Sequence, residues 1–173
     1  MIYVLAYPEF EPFCATRIDD FRAAHEPHRA KLVPPHITLV FGAQSAHAQV
    51  ITDLALAVAD QTQEFPVIFD EHAIEFDPFE QKHKIFLLCG DGAHQVTAMH
   101  KQLYEGDHRA DLSAAHPFRP HMTIATYAER AQIECVDVAD AGDLPLRGTL
   151  RALDIVRFSN GTLTSLKKIP FRR

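Results

Sequence analysis

The predicted order of strands and helices occurs twice along this chain. Residues 2–76 are predicted to form a strand, a helix, a strand that starts with Pro-His, a helix and a strand, and residues 84–158 repeat that order. Two copies are too few for a solenoid and indicate two pseudo-symmetric lobes that face each other. The sequence therefore predicts one bilobal α+β domain over residues 1–173, with duplicated units at about 2–76 and 84–171. Each lobe is expected to hold a mainly antiparallel sheet with helices on its outer face, and a central cleft would separate the lobes.

The boundaries of these elements follow from the period of the apolar residues and from turn residues. Strands are predicted at residues 2–7, 36–41, 65–76, 84–89, 121–127, 146–158 and 162–171. Helices are predicted at residues 12–30, 46–62, 93–105 and 128–139. The dipeptide Asn160-Gly161 is typical of a two-residue hairpin turn, which predicts that the last two strands pair with each other.

Composition restricts the class of protein. Apolar residues make up 47 % of the chain and charged residues 23 %, which is ordinary globular usage. No apolar run approaches the ~18 residues of a membrane span, and the segment from Met1 to Tyr7 lacks the basic start of a signal peptide. The three cysteines lie far apart, which fits neither a disulfide framework nor a zinc knuckle. We therefore expect a cytoplasmic protein, monomeric and without membrane contact.

The net charge of −6 bears on the kind of substrate. A protein that grips long nucleic acid along its backbone usually carries a basic surface, and this chain is acidic as a whole. The charge therefore favours either a small substrate or only the end of an RNA, held in a local basic cleft.

Two short segments, residues 35–39 (PHITL) and 120–124 (PHMTI), share the pattern Pro, His, apolar, Thr, apolar. The chain contains 11 Pro and 11 His, so composition alone predicts about 0.04 occurrences of Pro-His-x-Thr. Because side chains alternate along a strand, the His and Thr of each segment share one face and the apolar residues take the other. The side chains predicted to face the cleft are those of His36, Thr38, His121 and Thr123.

This set of side chains suits acid/base chemistry on a phosphodiester. Cleavage removes a proton from the nucleophile and delivers a proton to the leaving oxygen, and histidine, which titrates at about pH 6.5, can do either. Threonine hydroxyls can donate hydrogen bonds to the non-bridging oxygens, where charge builds up in the transition state. Nothing in this scheme requires a metal ion or an organic cofactor, and neither is predicted.

The two segments resemble the HxTx motifs of the two-histidine (2H) phosphoesterase superfamily, which includes 2′-5′ RNA ligase-like proteins and cyclic phosphodiesterases. Both motifs are intact, and His36 lies 85 residues before His121. The resemblance implies a bilobal, duplicated fold in which these histidines are catalytic and Thr38 and Thr123 bind the phosphate. It also implies metal-independent hydrolysis of a 2′,3′-cyclic phosphate or a 2′-5′ phosphodiester in a nucleotide, an ADP-ribose derivative or an RNA end. By the same resemblance, His36 is the acid that protonates the leaving oxygen and His121 is the base that activates water.

Residues near the motifs are further candidates. Arg119 lies two positions before His121, so it could bind phosphate, and its charge would lower the pKa of that histidine and favour the base role. His25 and His28, one helical turn apart, would need a third ligand to bind a metal, and the sequence places none at metal-site spacing. The aromatic residues that are either core residues or stacking partners for a base are Tyr3, Tyr7 and Phe118.

Two alternatives to hydrolysis stay open. The same groups, run in reverse, would join RNA ends through a 2′-5′ linkage. A different class of protein, a module that binds phosphate or RNA ends, would keep the pocket without turnover. The intact His and Thr of both motifs argue against the binding module, and the acidic charge favours a small substrate over a long RNA.

Overall fold

A computed structural model describes residues 1–112 and 117–173, and His116, which is expected in a loop, lies outside these residues. The strands are β1 (Ile2–Ala6), β2 (Glu9–Phe10), β3 (Ile37–Ala43), β4 (Phe65–Asp77), β5 (Lys82–Cys89), β6 (His121–Tyr127), β7 (Leu146–Leu150), β8 (Ala152–Ser159) and β9 (Thr162–Pro170). The α-helices are α1 (Pro12–His25), α2 (Pro27–Leu32), α3 (Ala48–Gln61), α4 (Ala93–Leu103) and α5 (Arg130–Ile133). Short 3₁₀ helices cover Ser45–His47, Asp107–Asp111 and Val138–Ala141.

Two antiparallel sheets organise the described chain. The first has four strands in the order β3-β1-β8-β9, and the second has five strands in the order β2-β7-β4-β5-β6. All neighbouring strands run antiparallel. Helix α1 packs on β6, α4 packs on β3, and α3 packs on α4 and on the β8–β9 hairpin. This mixed architecture with antiparallel sheets confirms the predicted α+β class.

The repeat in the sequence corresponds to an exchange of strands between the sheets. Strand β1, which pairs with β3, also pairs with β8. The equivalent strand β5, which pairs with β6, also pairs with β4. Each sheet therefore contains strands from both halves of the chain, so the two halves do not correspond one to one to the two sheets. The motif strands β3 and β6 occupy the edges of their respective sheets.

Three predicted elements are divided in the structure. The helix predicted at 12–30 breaks at Glu26, which has φ −150°, because Pro27 disfavours a helical conformation in the residue before it. The strand predicted at 146–158 breaks at Arg151, so that β7 joins one sheet and β8 the other. The helix predicted at 128–139 is reduced to α5 and a separate 3₁₀ turn.

One apolar core supports both motif strands. It includes Ile37 and Leu39 of β3 together with Met122 and Ile124 of β6, all of which are almost wholly buried. The predicted hairpin between β8 and β9 is confirmed, with positive φ at both Asn160 and Gly161. That conformation matches the twist of the two strands, and glycine adopts it without steric cost.

None of the helices described for this chain is long and apolar enough to cross a membrane.

Candidate active site

The two motif strands present their histidine and threonine side chains on the solvent-facing side, as the alternation predicts. In the first motif His36 and Thr38 are half-buried, whereas Ile37 and Leu39 are almost wholly buried. In the second motif His121 and Thr123 are half-buried in the same way. Within the described residues neither threonine hydroxyl has a hydrogen-bond partner. Both hydroxyls are therefore free to donate to a bound anion.

The two histidines make the same backbone hydrogen bond. The Nδ1 atom of His36 lies 2.7 Å from the carbonyl oxygen of Pro34, and Nδ1 of His121 lies 2.7 Å from the carbonyl oxygen of Arg119. A carbonyl oxygen can only accept, so Nδ1 carries the hydrogen in both rings. This bond fixes the tautomer, so Nε2 is the atom that takes a proton in the neutral ring and releases it from the protonated ring.

Burial and nearby cations disfavour the charged form of His36. Burial is the largest effect and, together with the charges of Arg29, Arg22 and His121, lowers the pKa of His36 to about 4. The hydrogen bond to the Pro34 carbonyl opposes this shift. The charge of His121 is one of the causes that lower this pKa, so the two imidazoles disfavour each other's protonation and the pair disfavours holding two protons at once.

Burial also lowers the pKa of His121, but the charges around it differ. The carbonyl of Arg119 and the carboxylate of Glu75 raise this pKa, while the charges of Arg119 and Lys84 lower it. Arg119 is half exposed, and its Nη2 lies 2.7 Å from Oε1 of Glu75. The expected effect of Arg119 on His121 is therefore present but is opposed by the carboxylate paired with it.

Aromatic rings pack against both histidines. The ring of Phe86, from β5, lies 4.0 Å from the ring of His121, centroid to centroid. Tyr7 meets His36 edge-on at 6.3 Å. Burial and a hydrogen bond to Asp154 raise the pKa of the Tyr7 hydroxyl, so this phenol stays protonated and donates to the carboxylate. Tyr7 was a candidate from the sequence, whereas neither Phe86 nor Asp154 was singled out by any motif.

A pocket of about 280 Å³ opens beside His36 and Thr38. Tyr3, one of the predicted stacking candidates, forms part of its wall, and Phe41 lies 5.4 Å from Tyr3, edge to face. Arg29 and Glu80 supply an ion pair at its border. The remaining lining residues are Leu5, His28, Leu32, Val33, Phe158 and Leu163.

A buried ion pair between Arg22 of α1 and Glu26, which the sequence pattern did not predict, makes hydrogen bonds to segments that flank both motifs. Arg22 Nε lies 2.6 Å from Glu26 Oε1, and each side chain is only 1 % exposed. Arg22 donates to the carbonyl of Val33, just before the first motif, over 3.1 Å. Glu26 accepts from the hydroxyl of Thr126 on β6 over 3.2 Å. The spacing i, i+4 on a helix was the available signal, but it does not distinguish a buried pair from an exposed one.

His25 and His28, which the sequence did not predict as metal ligands, lie in different surroundings from each other. His25 closes α1 and its Nδ1 is 2.7 Å from the hydroxyl of Tyr127, whereas His28 lies in α2 and lines the pocket. The break at Glu26 separates them, so they do not share a helix face. Among residues 1–112 and 117–173 no group of three or more His, Cys, Asp and Glu side chains is placed to hold a metal ion.

Solved structures with the same fold cover nearly the whole chain. TT0787 of Thermus thermophilus has a TM-score of 0.66 and 18 % identity, and covers 99 % of this chain and 98 % of its own. LigT of E. coli without ligand has a TM-score of 0.62 and 16 % identity, and covers 99 % and 97 %. LigT complexed with 3′-AMP has a TM-score of 0.62 and 17 % identity, and covers 99 % and 98 %. These likenesses establish the fold.

Sequence similarity establishes the family. No curated protein is significantly similar to the chain as a single sequence. The family model of the 2′-5′ RNA ligase superfamily, however, matches residues 10–162 and thus contains both motifs. The chain therefore belongs to the 2′-5′ RNA ligase superfamily, the two-histidine phosphoesterases.

Proposed function

We propose that this chain is a metal-independent phosphodiesterase that acts on a 2′,3′-cyclic phosphate or a 2′-5′ phosphodiester of a nucleotide or RNA end. The observation that carries this proposal is the matched pair of backbone bonds at His36 and His121. They leave two Nε2 atoms available on two histidines that influence each other's charge. Membership of the superfamily supports the reaction class, and E. coli LigT is known in complexes with 3′-AMP, ATP and NADP⁺.

The proposed hydrolysis uses both imidazoles at once. Nε2 of His121 takes a proton from water while the water oxygen attacks phosphorus. The bond from phosphorus to one ribose oxygen breaks, and Nε2–H of His36 delivers a proton to that oxygen. One water is added, and a phosphomonoester and a free hydroxyl are formed. The hydroxyls of Thr38 and Thr123 donate to the non-bridging oxygens as their charge increases.

The pKa of His36, which is about 4 in the free protein, favours the neutral ring that a base needs, so the assignment of His36 as the acid rests on the position of the pocket. The leaving oxygen stays on the ribose, so the proton donor has to lie next to the nucleoside. The pocket of about 280 Å³ borders His36 and Thr38, and its size suits a nucleoside. Water would then attack from the side of His121, in line with the bond that breaks.

Arg119 is proposed as a peripheral substrate contact. Its carbonyl holds His121, and its guanidinium is 51 % exposed while paired with Glu75. A bound phosphate would compete with the carboxylate for the same nitrogen atoms, so the contribution of Arg119 to binding is expected to be modest.

Ligation of RNA ends is the second candidate. The superfamily takes its name from 2′-5′ RNA ligases. In ligation the 5′-hydroxyl of a second RNA end replaces water as the nucleophile on the 2′,3′-cyclic phosphate. One histidine takes the proton of that hydroxyl, the bond from phosphorus to the 3′-oxygen breaks, and the other histidine protonates the 3′-oxygen. Hydrolysis is preferred for this chain because its net charge of −6 gives little attraction for two RNA strands at once.

The proposal is tested by incubating the protein in excess EDTA with nucleoside 2′,3′-cyclic phosphates, a 2′-5′-linked dinucleotide and an RNA with a cyclic phosphate end. We expect turnover of at least one of them, with a single phosphomonoester isomer as product. Turnover that appears only after addition of Mg²⁺, Mn²⁺ or Zn²⁺ would contradict the proposed mechanism. Tight binding of all three without turnover would instead indicate a binding module.

A further inference from the structure

The two catalytic strands are not joined by a strand ladder. β3 is the edge of the four-stranded sheet and β6 is the edge of the five-stranded sheet. Acid/base catalysis by His36 and His121 depends on their separation, because a misplacement of about 1 Å can reduce a rate by about 10²-fold. Something other than backbone pairing between β3 and β6 has to fix the position of one strand relative to the other.

One side chain of α4 touches the flanks of both motifs. His100 Nδ1 lies 2.7 Å from the carbonyl oxygen of Leu39, the residue that follows Thr38. The ring of His100 stacks on the ring of Phe118, with the centroids 3.8 Å apart and the planes 8° from parallel. Phe118 lies three positions before His121. His100 therefore contacts the backbone of the first motif and the residue that leads into the second.

The chemistry of this contact requires an imidazole. The carbonyl of Leu39 can only accept, so Nδ1 of His100 carries the hydrogen. Burial lowers the pKa of His100, which keeps the ring neutral near pH 7. A flat ring that also donates a hydrogen bond from its δ position can hold both partners at once. Phenylalanine would keep the ring and lose the donor, and asparagine would keep a donor at the δ position and lose the ring.

We infer that His100 is a positioning residue that couples the two motif strands and thereby sets the separation of the catalytic histidines. This inference rests on the proposed function for its consequence in catalysis, although the coupling itself is a property of the fold. His100 would not touch the substrate. Its loss should reduce kcat and leave KM nearly unchanged, because each threonine and each histidine is still present to bind the phosphate.

The test compares His100→Phe and His100→Asn with a matched control, His108→Phe. His108 is also buried and donates from Nε2 to a carbonyl, that of Leu103, over 2.6 Å, but it contacts neither motif. We expect kcat of both His100 variants to fall about tenfold with KM within about twofold of wild type. His108→Phe should lower Tm and keep kcat. An unchanged kcat in both His100 variants, or an equal loss in the control, would overturn the inference.

A double-mutant cycle isolates the stacking contact. Phe118→Leu should also reduce kcat, and combining it with His100→Asn should add little, since each change removes the same ring pair. Losses that multiply would show that the two residues act independently and would contradict the coupling. If His100→Phe does not fold, the cycle with His100→Asn and Phe118→Leu still decides the question.

An NMR measurement that needs no turnover tests this inference independently of the proposed function. In ¹⁵N-labelled protein, long-range ¹H–¹⁵N spectra follow the imidazole signals of His36 and His121 directly. His100→Phe should shift the signals of both catalytic histidines, and His108→Phe should shift neither. A shift confined to His36 would mean that His100 supports only strand β3, which would overturn the inference. These outcomes are readable even if no phosphodiester is turned over.

Discussion

His36 and His121 are held by the same bond, from Nδ1–H to the carbonyl two residues earlier, and the charge of His121 lowers the pKa of His36. The first relationship orients both rings, and the second makes their titrations interdependent. Together they describe a pair that disfavours holding two protons at once, although its members come from the edges of two different sheets. The proposed catalysis by this pair would therefore depend on the contacts that hold the two edges in place.

The pH dependence of the reaction should differ between free and substrate-bound protein. In the free protein the pKa of His36 is lowered to about 4 and that of His121 is also lowered, so the singly protonated pair is abundant only below pH 6.5. An anionic phosphate raises both values. We therefore expect kcat/KM to reach its maximum below about pH 6.5 and kcat to reach its maximum at a higher pH. Both pH profiles are measured with one small substrate. If kcat/KM and kcat rise and fall at the same pH values, the result would contradict this account.

The division of labour can be tested with the leaving group. A nitrophenyl ester of the phosphate leaves without help from an acid, so it should restore much of the rate of His36→Ala and little of that of His121→Ala. The comparison uses the ratio of rates on the activated and the natural substrate for each variant. Preferential rescue of His121→Ala would reverse the two roles. Failure of both variants on the activated ester would indicate that the histidines chiefly bind phosphate.

The threonine hydroxyls are expected to contribute through hydrogen bonds to charged oxygens. Thr38→Val and Thr123→Val preserve the shape and the strand preference of the side chain. Each should lose about 1.5–3 kcal/mol of transition-state stabilisation, which is roughly 10- to 150-fold in kcat/KM. Thr126→Val is not a suitable control because its hydroxyl bonds to Glu26, whereas Thr164→Val changes an exposed threonine of β9 and should have no effect. Wild-type kinetics in both motif variants would show that the hydroxyls do not contact the phosphate.

The buried pair Arg22–Glu26 should be important for stability. Arg22→Met leaves the Glu26 carboxylate buried without its main partner and should cost about 3–5 kcal/mol in the free energy of unfolding. The exposed pair Arg130–Glu134 has the same i, i+4 spacing with side chains 67 % and 50 % exposed, and Arg130→Met should cost less than about 1 kcal/mol. Urea unfolding at pH 7 measures both. An equal loss of unfolding free energy in the two variants would mean that burial is not the reason why the Arg22 pair stabilises the fold.

Period-2 alternation was sufficient to predict which side of each motif strand packs into the apolar core and which side does not. Residues such as Ile37 and Met122 are buried because a strand with one covered face leaves the alternate positions outside. Alternation describes one strand at a time, however, and does not identify its partner. The pairing of β8 with β1 and of β4 with β5 was therefore beyond the sequence pattern. The predicted strand is divided at Arg151 for the same reason, because β7 pairs in one sheet and β8 pairs in the other.

The supporting contacts were less predictable than the motifs. His100 lies in a helix with ordinary amphipathic spacing, and only the packing of α4 on β3 brings it to Leu39. Arg119 was predicted as a candidate phosphate contact beside His121, and the structure places Glu75 against it, from a strand 44 positions earlier in the chain. Contacts across such separations depend on tertiary packing, which residue spacing does not describe.

The most direct test of the two-histidine account is single-turnover hydrolysis of the best 2′,3′-cyclic phosphate in excess EDTA by wild type, His36→Ala, His121→Ala and the control His72→Ala. His72 is an exposed histidine of strand β4. We predict that each motif variant folds and loses about 10²–10⁴-fold in rate, while the control keeps the wild-type rate. A rate near that of wild type in either motif variant would contradict the account.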